Sequence, residues 1–162
     1  MSLPYDQDIP FEALLSVATD AARQAGMILT ECTRTGFRIE HKQVINLVTD
    51  ADRQAEQRII DVIHDTFPTH RILAEEGGLT EQSPSRYKWV IDPLDGTTNF
   101  AHGFPAYCVS IGVECDGREI VGAVYDPTRD ELFTAQIGYG AHLNGVPISV
   151  SATDHLDRSL LV

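Results

Sequence analysis

Apolar residues between Phe11 and about Cys32 recur every three or four positions, at Leu14, Leu15, Ala18, Ala21, Ala22, Ala25, Ile28 and Leu29. This is the spacing of one face of an amphipathic helix. A second helix is predicted from Asp50 to about Phe67, where Ala51, Ala55, Ile59, Val62 and Ile63 share a face, Thr49 stands at the N-cap and Pro68 marks the end. Thr49 and Asp52 then both belong to its first turn. Short runs at Gly36–Glu40, Ile72–Glu75 and Lys88–Ile91 are predicted as strands, the last two leading into carboxylates at their C-terminal ends. Beyond Pro105 the pattern becomes that of hairpins: Val109–Cys115, an Asp116-Gly117 turn, Glu119–Tyr125, Glu131–Ile137, a Gly138/Gly140 turn, then Asn144-Gly145 before Ile148–Val150. Helices first and hairpins later predict an α+β domain, two N-terminal helices packed on a mostly antiparallel sheet.

Composition narrows the partners. The 162 residues carry 12 Lys+Arg against 24 Asp+Glu, a net charge of −12, which opposes binding to phosphate polymers and excludes nucleic acid as a main partner. No apolar run approaches the ~18–20 residues of a membrane span. Met1-Ser2-Leu3-Pro4-Tyr5-Asp6 has no basic region followed by an apolar stretch, so the cytoplasm is the expected compartment. Cys32, Cys108 and Cys115 form no CxxC pair and no even set, and are expected to be reduced, mostly buried thiols. Of His41, His64, His70, His102, His142 and His155 none shows metal-ligand spacing with another. Most are expected at the surface or in loops, with His102 set apart by following the acidic segment described next.

The densest chemistry lies in Trp89-Val90-Ile91-Asp92-Pro93-Leu94-Asp95-Gly96-Thr97-Thr98-Asn99-Phe100, a strand running into two acids, a glycine and two hydroxyls. Two carboxylates on a turn fixed by Pro93 can converge on a hard divalent cation, and oxygen donors without nearby Cys or His favour Mg²⁺ or Mn²⁺ over Zn²⁺. Gly96 lets the main chain approach closely, and the amides of Gly96, Thr97 and Thr98, where they open a helix, face an anion. A metal beside an anion hole is the minimum apparatus for transferring a phosphoryl group to water. Asp92 and Asp95 also fit ordinary turn and cap positions. Two further acidic segments weigh against that plain reading, Glu75-Glu76 at a strand end and Asp50/Asp52 at a helix start, although each alone could be solvated charge.

The run Asp92-Pro93-Leu94-Asp95-Gly96-Thr97-Thr98-Asn99-Phe100 closely resembles the first signature of the inositol monophosphatase family. Its order after Leu47-Val48-Thr49-Asp50-Ala51-Asp52 and Ala74-Glu75-Glu76 is also the family's, and the resemblance extends to Gly140-Ala141-His142-Leu143-Asn144-Gly145. The resemblance implies the layered sugar-phosphatase fold and a Mg²⁺-dependent, lithium-sensitive phosphomonoesterase that hydrolyses inositol monophosphate. It implies that Glu75, Asp92 and the Leu94 carbonyl hold the first of two or three Mg²⁺ ions, with Mn²⁺ a substitute, and that Asp92 and Asp95 hold the second. Thr97 and Asp52, with Glu75, would orient and activate a water held by the metal. The amides of Gly96 and Thr97 would hold the phosphate, with Thr98 and Asp95 beside them. No phosphoenzyme is expected. Glu76 matches a residue that assists metal binding, Lys42 matches a basic residue near the family site, and a homodimer is favoured.

One departure qualifies this. The family carries a second signature, Trp-Asp-x-Ala-Ala-Gly, in a C-terminal domain, and the only tryptophan here is Trp89. Residues 1–162 therefore resemble the N-terminal metal- and phosphate-binding domain with the C-terminal domain missing, and Ser159-Leu160-Leu161-Val162 is expected to open a strand leading into it. These residues alone are expected to be weakly active or inactive. Fructose-1,6-bisphosphatase, histidinol phosphatase and bisphosphate nucleotidase are similar in the same motifs, and a non-catalytic binding or regulatory domain is the alternative outside the class. Ser110 and Ser149 lack a Gly-x-Ser-x-Gly elbow, and Asp92–Gly96 lacks the acid spacing of a calcium loop, which sets aside acyl transfer and calcium sensing.

Overall fold

The computed structural model describes residues 9–41, 47–75, 77–80 and 85–160. Helix α1 spans Phe11–Thr35 and α2 spans Asp50–Thr66. Both start and end for local reasons. Pro10 stands at the N-cap of α1, and Gly36, at φ 94°, ends it with its N–H on the Cys32 carbonyl. At α2 the Thr49 side chain accepts from the Asp52 N–H, while the Asp52 carboxylate takes the Thr49 N–H at 2.8 Å, a reciprocal capping box. The Phe67 N–H closes the other end on the Ile63 carbonyl at 2.7 Å.

The described residues form ten strands, the first two between α1 and α2: β1 (Ile39–His41), β2 (Leu47–Thr49), β3 (Arg71–Ala74), β4 (Gly78–Thr80), β5 (Tyr87–Asp95), β6 (Cys108–Cys115), β7 (Arg118–Asp126), β8 (Glu131–Gln136), β9 (Gly140–Leu143) and β10 (Val146–Ile148), with a short helix α3 (Thr97–Ala101) between β5 and β6. β1 and β2 form a separate ribbon, and the other eight make one sheet in the order β10-β9-β8-β7-β6-β5-β3-β4. All its pairs are antiparallel except β3 with β5. The α+β reading and the mostly antiparallel sheet are borne out.

Several bounds move. The strand expected at Gly36–Glu40 begins only at Ile39, because Gly36 is spent on ending α1. The last strand starts at Val146 rather than Ile148, because the Asn144-Gly145 turn, with both residues at positive φ, returns the chain immediately. β2, β4 and β9 carry too few residues for a periodic signal. Residues 159 and 160 are irregular, following a single 3-10 turn at Leu156–Arg158. The rest of that apolar run lies outside the described residues.

The core sits between the two helices and one face of the sheet. Leu14, Ala18, Leu29, Ile59 and Ile63 meet Trp89, Ile91, Val109, Ile111 and Ala123, all buried. The small residues of α1 let it lie close to the sheet, and Gly26 shows how close: a Cβ there would stand 2.5 Å from Tyr125 Cε1. His70 is a correction to the surface expectation. It is 6% exposed, stacked on Phe67 with ring centroids 4.6 Å apart, and its Nδ1 accepts from Trp89 Nε1 at 3.0 Å. No described helix is long and apolar enough to cross a membrane.

Candidate active site

β3 and β5 run parallel with Ala74 opposite Ile91, so Glu75 and Asp92 emerge together at adjacent C-terminal strand ends. Such ends, open to a crevice, are where sheets of this kind present ligand-binding groups. The two carboxyl groups lie close enough for each to feel the other's charge. Asp92 is pushed up to about 7. Burial is the largest cause, followed by the Glu75 charge; the Leu94 N–H opposes the shift, and the Asp95 charge adds to it. That Leu94 N–H reaches Asp92 Oδ1 at 3.1 Å and fixes the carboxylate on its own turn.

Pro93 breaks the ladder that follows. Asp92 pairs with Ser110 and Asp95 with Cys108, so β5 takes one residue more than β6 over the same stretch. A bulge of this kind re-aims the side chain after it, and proline, with no N–H to donate, is suited to it. Gly96 then turns the chain at φ 96°, where an L side chain would be strained. α3 begins at once. The Thr97 hydroxyl lies 3.0 Å from the Leu94 carbonyl and 3.3 Å from Asp52 Oδ1, and its single proton serves one of them at a time. Asp52, 2% exposed, is aimed by the capping box of α2, so a helix start and a strand end 45 residues apart meet at one hydroxyl.

The structure thus brings Glu75, Asp92, Leu94, Asp95, Gly96, Thr97, Thr98 and Asp52 to one end of the sheet, on β3, β5, α3 and α2. Lys42 and Glu76 lie outside the described residues. Of two further neighbours, Thr49 was signalled as the cap of α2 and Cys108 carried no sequence signal. Thr49 holds Asp52, and Cys108 Sγ stands 3.9 Å from Asp95 Oδ2 because the strand register sets it there. Burial, chiefly, and the nearby acids push the Cys108 thiol up to about 11, so it stays protonated and can donate to Asp95. Among the described residues no cysteine forms a disulfide; Cys32 is buried and Cys108 and Cys115 are half-buried.

A divalent cation fits this donor set in its chemistry. Among the described residues no Lys, Arg or His forms an ion pair with Glu75, Asp92 or Asp95. The crowded negative charge is what such an ion would neutralise. Among the described residues no three acid, His or Cys side chains already form a closed cage. Mg²⁺ does not demand one, since it keeps much of its water and binds through one or two carboxylates.

Fold and site together define a class of α+β domains with acids gathered at one end of a mostly antiparallel sheet. The profile of the inositol monophosphatase family matches residues 11–162. An inositol-1-monophosphatase of Synechocystis is 48% identical over 149 residues, covering 91% of this chain and 52% of that protein. Inositol monophosphatase 3 of Solanum lycopersicum is 43% identical over 157 residues, covering 93% of this chain and 57% of its own length. Among solved structures, the extragenic suppressor protein suhB of Bartonella henselae superposes with a TM-score of 0.84 at 37% identity, covering 87% of this chain and 55% of that one. The chain belongs to the inositol monophosphatase family. It spans about half the length of the curated relatives it matches.

Proposed function

We propose that this chain is the metal- and phosphate-binding half of a Mg²⁺-dependent phosphomonoester hydrolase acting on inositol monophosphate. The observation that carries the reading is the meeting of Glu75 and Asp92 at two parallel strand ends, beside the Thr97–Asp52 pair. Glu75, Asp92, Asp95 and the Leu94 carbonyl would hold the cations. When bound, Mg²⁺ supplies the charge that lowers the pKa of water and offsets the phosphate's own negative charge. The chain's residues do the rest. The amides of Gly96 and Thr97, with Thr98 and Asp95 beside them, hold the phosphate oxygens. Thr97 Oγ1 orients the attacking water, and Asp52 Oδ1 and Glu75 take up its proton. The water oxygen forms a bond to phosphorus, the ester P–O bond breaks, and a proton ends on the departing inositol oxygen. No covalent intermediate on the protein is required.

The second half of the protein, which the family resemblance places after residue 162, would complete the second metal site and the wall against the sugar ring. For that reason the chain by itself is expected to turn over weakly or not at all. The resemblance also supports a homodimer. The test is phosphate release from myo-inositol 1-phosphate with Mg²⁺, by the protein as its own cells make it, with Asp95→Asn and Asp92→Asn beside the unaltered protein. Each substitution should lower kcat by at least ~100-fold, the loss of a group that acts on developing charge. Unchanged release with Asp95→Asn would sink hydrolysis at this site.

A further inference from the structure

Asn99 has no part in the chemistry above, yet its side chain is not spent on its own helix. Its Nδ2 donates to the Ala106 carbonyl at 2.7 Å, and its backbone carbonyl accepts the Phe104 N–H at 2.8 Å. Both bonds reach into the loop that joins α3 to β6. Within that loop the Ala106 N–H closes on the Phe104 carbonyl at 2.8 Å, and the Gly103 N–H on the Phe100 carbonyl at 3.0 Å. The carbonyl that Asn99 holds is also the atom pressed against Gly96: a Cβ on Gly96 would lie 2.9 Å from Ala106 O and 3.2 Å from Tyr107 Cα. One residue past Tyr107, Cys108 pairs with Asp95.

We propose that Asn99 is a positioning residue, whose carboxamide clamps the loop of residues 102–107 against Gly96 and so fixes the Asp95–Thr98 turn. The geometry stands by itself; its consequence for catalysis rests on the phosphatase reading above. Asparagine is a poor helix former, and α3 is only 5 residues long, so helix propensity does not account for it. The bond spans seven residues and ends on a carbonyl that no other described group satisfies. Without it the loop has freedom to lift, and Gly96 loses the neighbour that holds its left-handed conformation.

Asn99→Asp keeps the shape and puts a carboxylate oxygen against the Ala106 carbonyl; Asn99→Leu keeps the bulk with no donor and no charge, and serves if the first variant does not fold. Hydrogen exchange of this chain is read by mass spectrometry. Peptides covering residues 96–104 should exchange about tenfold faster, the factor carried by one net hydrogen bond, while α1 and β7 are unchanged. In the protein as its own cells make it, kcat on myo-inositol 1-phosphate should fall by about tenfold with KM within about twofold, the pattern of a lost transition-state interaction. Unchanged exchange at 96–104, or a rise that includes α1, overturns the clamp. Faster local exchange with unchanged kcat overturns its positioning role. An unaltered protein that releases no phosphate sinks the phosphatase reading instead, and the exchange result then decides the clamp alone.

Discussion

The two faces of the large sheet are built to different rules. Against the helices, Trp89, Val109 and Ala123 are fully buried with Leu14, Ala18, Leu29 and Ile59. On the opposite face Leu73, Val90 and Phe133 are apolar too, yet each stays 37% exposed. Between them Gly112 and Gly122 stand opposite each other in register and leave a shallow apolar depression. Lys88 and Glu114 pair across the same face at 2.7 Å. Stability therefore comes from the covered side, where burial is complete. The acids belong with the other: Glu75 and Asp92 continue the alternation that points Leu73 and Val90 away from the helices. A domain can in this way hold crowded carboxylates that have no ion-pair partner among the described residues, because the layer that stabilises it lies on the far side of the sheet.

The sharpest way to break this contrast is to cut into the covered side. Leu29→Ala should cost ~3 kcal/mol in urea unfolding, since its side chain is fully buried among helix and strand neighbours and the cavity cannot collapse freely. A cost below about 1 kcal/mol would show that α1 is not the main layer. Gly26→Ala comes next, at about 1–2 kcal/mol. Alanine is the better helix former by about 1 kcal/mol, which acts in the opposite direction. The added Cβ would nevertheless meet a Tyr125 ring that cannot step aside, being tied to Asp130 by its hydroxyl at 3.0 Å and covered by the Arg23 guanidinium at 5.3 Å. A stabilised Gly26→Ala would mean the ring is free to move.

What could be seen in the sequence divides along similar lines. The helices were legible because their buried faces repeat every three or four residues, and the Thr49 cap because its carboxylate partner follows at a fixed distance. The Asp92–Phe100 segment was legible as a motif. The family resemblance, not the periodic pattern, paired Asp52 with Thr97 and Glu75 with Asp92. That Cys108 stands 3.9 Å from Asp95 follows from strand register, which a periodic pattern does not encode. His70 was misplaced for a related reason: three aromatic neighbours from α2's end and β5 enclose it, and none is signalled by its own sequence context.

The crowded acids give a smaller effect with a definite sign. Asp92 holds its proton up to about 7 when folded, against an ordinary carboxylate value when unfolded, so between about 4 and 7 the folded chain binds more protons than the unfolded one. In chelator the chain should therefore be most stable below about pH 4 as far as this group is concerned, and lose that contribution as pH rises through 7. The loss is on the order of 1 kcal/mol once screening of a half-buried carboxylate is allowed for. Asp92→Asn should flatten this part of the unfolding profile. Mg²⁺ should raise the melting temperature more at pH 8 than at pH 5, because it binds the ionised pair. A profile that Asp92→Asn leaves unchanged would remove the raised Asp92 carboxyl from the account.

The smallest effect is also the most direct comparison of the two faces. Gly122 lies on β7, the strand that carries Tyr125, but a Cβ there would meet nothing within 4 Å. Its φ is not in the left-handed region, so glycine gives no conformational advantage, and in a strand interior it costs backbone entropy. Gly122→Ala should stabilise this chain by about 0.5 kcal/mol, read as a higher urea midpoint at constant slope. The same glycine-to-alanine change thus has opposite signs on the two sides of one sheet. In the protein as its own cells make it, a further layer over this face would reverse the gain, because the methyl group would then need room already taken. A gain that persists there would leave the Gly112–Gly122 face open to solvent in the whole protein.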